Sequence, residues 1–342
     1  MKKQIVFISG SAGFIGTNLT EQLLGQGYSV IGFDRQEPAQ RFPGQQCISD
    51  LTGDAEEFDL LTARGDICDT KLLDYIFQRF EINYVVHLAA LSTIQQGAGN
   101  REETFRINVD GTRAMLEAAR KHGGVHGFLH ASTDKVYGSI QNHAYVETDP
   151  LTPVRSFYDQ SKAVADAMVR EWSKQYGLHG IVLRFCNIYG EHDESHTRII
   201  PQTIRACLEN RPCTLRVYRD AEGNVRNYKR DFLYVKDLCE SLCQILGKMA
   251  AWNRNDDKTA MWGEAFNLGS GHSYSMEGII RMICNLTNSQ SPVSTEYTSP
   301  VEEIAEQSMN YQKANKYFGF APHTLMEDGI RRTLKWWEGR TS

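Results

Sequence analysis

Over its first 190 residues this sequence alternates short apolar runs with stretches of helical spacing, and that alternation restricts the fold more than any other feature. The runs are 4–9 (QIVFIS), 28–34 (YSVIGFD), 84–90 (YVVHLAA), 127–133 (GFLHAST) and 180–190 (GIVLRFCNIYG). Between them, 14–25 carries apolar residues at Ile15, Leu19, Leu23 and Leu24, and 69–80, 101–122 and 158–176 also read as helices. A strand that is apolar throughout is buried on both faces, as in a parallel sheet covered by helices. The pattern predicts an α/β fold with a doubly wound parallel sheet. Right-handed crossovers then bring the strand carboxyl ends, and any site they carry, to one edge.

After about residue 190 the rhythm changes. Residues 198–212 (RIIPQTIRACLENRP) read as a helix, 215–235 as a hairpin around Glu222-Gly223-Asn224, and the last helix carries Trp336 and Trp337. The expected division is a first domain over 1–185, to which some later segments return, and a smaller C-terminal α/β lobe over 186–342. A net charge of −5 gives no electrostatic reason to expect nucleic acid as a partner. No run of eighteen apolar residues occurs and the N-terminus has no signal-peptide core, so the expectation is a cytoplasmic chain with no membrane partner. Eight scattered cysteines without a C-x-x-C pair suggest free thiols, and no metal is expected.

The segment SGSAGFIG (9–16) places Gly10, Gly13 and Gly16 between a strand and a helix. Glycines there allow a tight turn and a close backbone approach to a pyrophosphate at the helix N-terminus, the Rossmann-type arrangement. Asp34 ends the next strand, where a carboxylate accepts both ribose hydroxyls and repels a 2′-phosphate. That favours NAD, while Arg35 next to it keeps NADP open. In YDQSK, Tyr158 and Lys162 are four apart and share one helix face. An ammonium beside a phenol favours the phenolate, which can take a proton from an alcohol as hydride leaves its carbon.

These pieces together resemble an extended short-chain dehydrogenase/reductase of the nucleotide-sugar 4,6-dehydratase and epimerase group. The matching segments are GSAGFIG, Asp34, GDICD (65–69), HLAA (87–90), NVDGT (108–112), STDKVYG (132–138), Glu147 with Pro150 and Pro153, YDQSK, RFCNIYG (184–190), RDFLYVKDL (230–238) and FNLGSG (266–271). The resemblance implies Gly10, Gly13, Phe14, Ile15 and Gly16 at the NAD pyrophosphate, Asp34 at the ribose, Asp66 and Ile67 at adenine, and Leu88, Ala89 and Ala90 along the cofactor. It implies Thr133, Tyr158 and Lys162 as a catalytic triad, with Tyr158 and Lys162 also meeting NAD. In the C-terminal lobe it implies Asn187 and Arg230 at the nucleotide-sugar, and it implies a homodimer through helices 101–122 and 158–176.

Asp134 and Lys135 follow the triad hydroxyl. Many dehydratases of the group have Asp-Glu there, and Asp-Lys resembles the pattern of enzymes acting on CDP-glucose and of inverting UDP-sugar enzymes. The expectation is a lyase: C4 oxidation, loss of water across C5 and C6 with Asp134 as acid, and hydride return to C6. Lys135 would be the C5 base or the cation that stabilises the enolate. The same resemblance leaves a C4 or C2 epimerase, a uronic-acid decarboxylase and a non-catalytic binding protein as alternatives. Loops 91–100 and 191–198 are expected to set substrate choice.

Overall fold

Every residue of Ile5–Ser9 is buried, because this strand (β1) has a parallel neighbour on each side and helices above and below. The coordinates are a computed structural model and describe residues 3–36, 42–50, 57–91, 100–140, 143–153, 156–252, 261–298 and 304–341. After β1 come α1 (Phe14–Gly25), β2 (Ser29–Asp34), the short β3 (Gln46–Cys47), β4 (Leu60–Arg64), α2 (Thr70–Arg79) and β5 (Ile82–His87). Next are α3 (Arg101–Phe105), a π-helical turn (Arg106–Asp110), α4 (Gly111–His122), β6 (Gly127–Thr133), a 3-10 turn (Asp134–Tyr137), α5 (Phe157–Tyr176), β7 (Gly180–Phe185) and β8 (Asn187–Tyr189). The remainder is α6 (Ile199–Leu208), β9 (Cys213–Arg219), β10 (Val225–Asn227), β11 (Lys229–Tyr234) and α7 (Val235–Trp252). It continues with β12 (Ala265–Leu268), β13 (Ser273–Ser275), α8 (Met276–Leu286), β14 (Val293–Tyr297), α9 (Gln312–Phe318) and α10 (Met326–Thr341).

The chain forms two compact units. The first is Met1–Val136, Ser156–Arg184 and Cys239–Phe266; the second is Tyr137–Arg155, Phe185–Leu238 and Asn267–Ser342. The main sheet has eight strands in the order β12-β7-β6-β5-β1-β2-β4-β3. This is the doubly wound parallel sheet, and the strand order reverses between β1 and β5. On one face Phe7 packs against Phe33 and Phe77, with ring centroids 5.8 and 5.3 Å apart, within a core that includes Ile31, Leu61, Val85 and Phe128. The second unit holds two three-stranded sheets, β10-β9-β14 and β13-β11-β8. Among the described residues no helix is long and apolar enough to cross a membrane.

Two sequence expectations change. The run 180–190 is not one strand: β7 lies in the main sheet, and after Cys186 β8 pairs in parallel with β11. The hairpin is real but shorter, with β9 and β10 antiparallel around Asp220–Asn224, while β11 leaves to pair with β8 and β13. Local pattern cannot reveal such sheet changes, because the pairing partners are distant in sequence.

A charge inside an apolar strand identifies a further feature of the first unit. Arg184 is fully buried, and its Nε and Nη2 donate to Asp166 of α5 at 2.8 and 3.0 Å; Ser132 Oγ donates to the same carboxylate at 2.9 Å. Removing one partner of such a pair leaves an uncompensated interior charge. Asp166→Ala is expected to cost about 3–5 kcal/mol in urea unfolding, and the double change with Arg184→Met to recover most of it. A single variant that unfolds at the native urea midpoint would contradict this reading.

Candidate active site

In the first unit the carboxyl ends of β1, β2, β4, β5 and β6 share one edge, so residues far apart in sequence line up there. At the end of β1, Gly10 has φ +77°, and a Cβ on it would lie 2.8 Å from the Ala89 nitrogen. A Cβ on Gly16 would lie 2.2 Å from the Gly10 carbonyl oxygen. Both positions therefore exclude a side chain, and the loop is drawn tight at the point where the strand order reverses. Gly13 precedes α1 with no side-chain cap, and no acidic residue lies in the first turn around Phe14, Ile15 and Gly16. A helix end of this kind suits an anionic group.

Asp34 shapes the same loop, its carboxylate accepting from Ala12 N at 3.0 Å and Gln36 N at 2.9 Å. Leu88 N donates to the Ser9 carbonyl at 3.0 Å, which holds Leu88–Ala90 beside the glycines. The Ile67 side chain is buried in the core, so only its backbone can meet a ligand. Asp66 is held by Arg106, whose Nη1 and Nη2 donate at 3.1 and 2.8 Å, and these bonds keep its carboxyl below the usual range. Sequence reasoning missed Arg106; its place in the π-helical turn before NVDGT has no local signature. The tight glycine turn, the uncapped helix and Asp34 beside them fit a dinucleotide.

The catalytic candidates of the first unit cluster at the end of β6. Thr133 Oγ1 donates to Asp134 Oδ1 at 3.2 Å, and Lys135 Nζ lies 3.7 Å from that oxygen. Asp134 is buried, while the Lys135 side chain is about a quarter exposed, at 23%. The acid and the cation are thus in contact with each other as well as beside the hydroxyl. Lys162 is buried, and its Nζ donates to the Ala131 carbonyl. Burial pushes its pKa down to about 8, with Asp166 pulling the other way. The crossover from β6 to β7 runs α5 antiparallel to β6, so Tyr158 stands one turn, about 6 Å, beyond Lys162 toward the strand's carboxyl end. The lysine tied to Ala131 and the tyrosine one turn before it on α5 thus belong to the helix that packs on β6.

In the second unit Asn187 Nδ2 donates to the Asp231 carbonyl at 3.1 Å. Arg230, on β11, is buried; its Nη1 donates to the Lys229 carbonyl at 2.8 Å and its guanidinium lies over Tyr228 at 5.3 Å. Sequence reasoning missed Asp231, which accepts from Ser270 N, Ser270 Oγ, Gly271 N and Met309 N at 2.7–3.1 Å. It binds FNLGSG to β11 beside Arg230. Of the two loops expected to set substrate choice, 91–100 lies outside the described residues at positions 92–99. In 191–198, Tyr234 Oη donates to Glu191 and Arg198 pairs with Asp193 at 2.8 Å.

The profile of the family described as GDP-mannose 4,6 dehydratase matches residues 7–333. The dTDP-glucose 4,6-dehydratase of Salmonella typhimurium is 28% identical, over 98% of this chain and 93% of the relative. A crystal structure of the Bacillus anthracis dTDP-glucose 4,6-dehydratase in complex with NAD superposes with a TM-score of 0.79 at 25% identity, covering 98% of this chain and 97% of that one. The UDP-glucose 4-epimerase of Thermotoga maritima reaches a TM-score of 0.80 at 23% identity, with 99% and 100% covered. The backbone is therefore common to both reaction types and does not choose between them.

Proposed function

We propose, from the premise that this chain belongs to the GDP-mannose 4,6 dehydratase family, that it is an NAD-dependent nucleotide-sugar 4,6-dehydratase, a hydro-lyase producing a 4-keto-6-deoxy hexose. The observation that carries this reading is the contact of Asp134 and Lys135 with each other and of Asp134 with Thr133. An epimerase that only oxidises and re-reduces one carbon needs no acid or base beyond the triad. Elimination across C5 and C6 needs both. The fit of the glycine turn and Asp34 supports the cofactor, which when bound accepts hydride from C4 and returns it to C6.

Tyr158 takes the proton of the C4 hydroxyl, held ready by Thr133 Oγ1 and favoured by the Lys162 ammonium. The ketone at C4 acidifies the C5 hydrogen; Lys135 takes that proton, or stabilises the enolate while a second base takes it, and the same base returns it to C5 as hydride reaches C6. Asp134 protonates the departing C6 hydroxyl, which leaves as water. After one cycle Tyr158 has gained a proton and Asp134 has lost one. The Thr133 hydroxyl, bonded to Asp134, is the group through which that proton returns. In the second unit Asn187 and Arg230 are the candidates for the nucleotide diphosphate.

The finer reading is a pyrimidine nucleotide. The Asp-Lys pair resembles enzymes of CDP-glucose and UDP-sugars, and the Salmonella relative is named for dTDP-glucose. Incubation with CDP-, UDP-, dTDP- and GDP-hexoses, with mass spectrometry following loss of water, tests this. Turnover of at least one of the first three supports it, and an isomer that keeps its 6-hydroxyl refutes dehydration. The exposed Phe157, Val164 and Tyr176 of α5 support pairing with a second copy through that helix.

The depressed Lys162 pKa gives a pH prediction. Lys162 keeps its proton below about pH 8 and loses it above, so the alkaline limb of kcat is expected with an apparent pKa of about 8. An ordinary lysine would hold the rate to about pH 10. A kcat profile that stays flat to that point would exclude Lys162 as the required cation.

A further inference from the structure

In the second unit Cys207, Cys213 and Cys284, from the last turn of α6, the start of β9 and α8, converge on one point. Cys207 Sγ lies 3.8 Å from Cys213 Sγ and 3.7 Å from Cys284 Sγ, and all three sulfurs are within 4.8 Å of one another. No other cysteines form such a group among the described residues. The backbone at each is fixed: Cys213 N donates to the Pro292 carbonyl at 2.9 Å, Ser289 N to that of Cys284 at 3.0 Å, and Asn210 N to that of Cys207 at 3.3 Å. A tetrahedral zinc ion with bonds of about 2.3 Å holds its sulfurs about 3.8 Å apart. Two of the three edges already have that length and the third is within 4.8 Å, so the sulfurs stand close to the spacing a zinc ion needs. Cys207 and Cys213 are buried, whereas Cys284 is half-buried, which leaves the group one side toward solvent.

We propose that these three thiols form a zinc site that ties α6, β9 and α8 together. Three S–H bonds are exchanged for three S–Zn bonds, three protons pass to the buffer, and no electron moves. The sequence hid this arrangement because Cys284 is 77 positions from Cys207.

Titration of the reduced, chelator-treated full chain with Co2+ tests the site. The expected result is a sulfur-to-cobalt charge-transfer band with tetrahedral d–d bands, saturating at one ion per chain and removed by Zn2+. Cys207→Ser and Cys284→Ser should lose the charge-transfer band, whereas Cys47→Ser, elsewhere in the chain, should keep it. Should the serine variants misfold by circular dichroism, alkylation of Cys284 in the unaltered chain decides: Zn2+ is expected to slow it at least tenfold. Absence of tetrahedral bands, bands unchanged in a folded Cys284→Ser protein, or unaltered alkylation would each overturn the proposal.

Discussion

Replacing Tyr158 by Phe is expected to lower kcat by about 10²–10⁴-fold, the usual contribution of a positioned acid–base group. The ring stays, and so does the helix around it. Ser156 caps that helix by accepting from Asp159 N at 3.1 Å, and Lys162 remains tied to Ala131. Only the phenol oxygen is lost, so nucleotide-sugar affinity and the unfolding midpoint should change little. Stopped-flow measurement of C4 oxidation locates the defect: the first step slows and limits the whole cycle. A variant within tenfold of the native rate would mean that another group accepts the C4 proton.

The second large effect is expected for Asp134→Asn, and it separates the steps instead of slowing all of them. The amide oxygen can still accept the Thr133 hydrogen bond now made at 3.2 Å, so the neighbourhood is conserved. The amide has no acidic proton to give to a leaving hydroxyl. C4 oxidation and exchange of the C5 hydrogen with solvent should continue, water loss should fall about 10²-fold or more, and reduced nicotinamide should accumulate. Solvent deuterium at C5 of recovered substrate and the nicotinamide absorbance check the two halves separately. Full turnover would place the acid elsewhere. Loss of C5 exchange together with water loss would show that Asp134 and Lys135 act as one structural pair, which their 3.7 Å contact would accommodate.

The sequence and the structure agree where the physics is local. The run 4–9, the glycines and the helix after them are fixed by short-range pattern: an apolar strand, a turn that a Cβ would block, and helical spacing at Ile15, Leu19 and Leu23. Thr133, Asp134 and Lys135 are consecutive, so their proximity needed no fold at all. Tyr158 and Lys162 needed only one helical turn. What could not be read is long-range. β4 reads LLTAR, where Thr62 and Arg64 break the apolar run that marks β1, and β11 pairs with β8, more than forty residues earlier by the Asn187 Nδ2 to Asp231 bond. Arg184 within an apolar run was the legible hint of a buried partner, but nothing local names Asp166. Arg106 closing on Asp66 spans 40 positions, and Asp231 gathering Ser270 and Gly271 spans about the same. Arg184 and Asp231 are buried and Arg106 with Asp66 is exposed, yet in each case the partner is supplied by the fold and not by neighbouring sequence.

The same distinction explains why backbone similarity leaves the reaction open. Glycine turn, ribose carboxylate and Tyr-Lys pair serve any enzyme that oxidises a sugar carbon with a bound nicotinamide. The proposed function assigns the choice between returning hydride to that carbon and sending it elsewhere to Asp134 and Lys135 beside Thr133. The most direct measurement is therefore the fate of a label. With a hexose deuterated at C4, in the nucleotide form that the screen identifies, dehydration by this chain should deliver the deuterium to C6 of a 4-keto-6-deoxy product within a single active site. Deuterium remaining at C4 in an isomer that keeps its 6-hydroxyl would contradict the account.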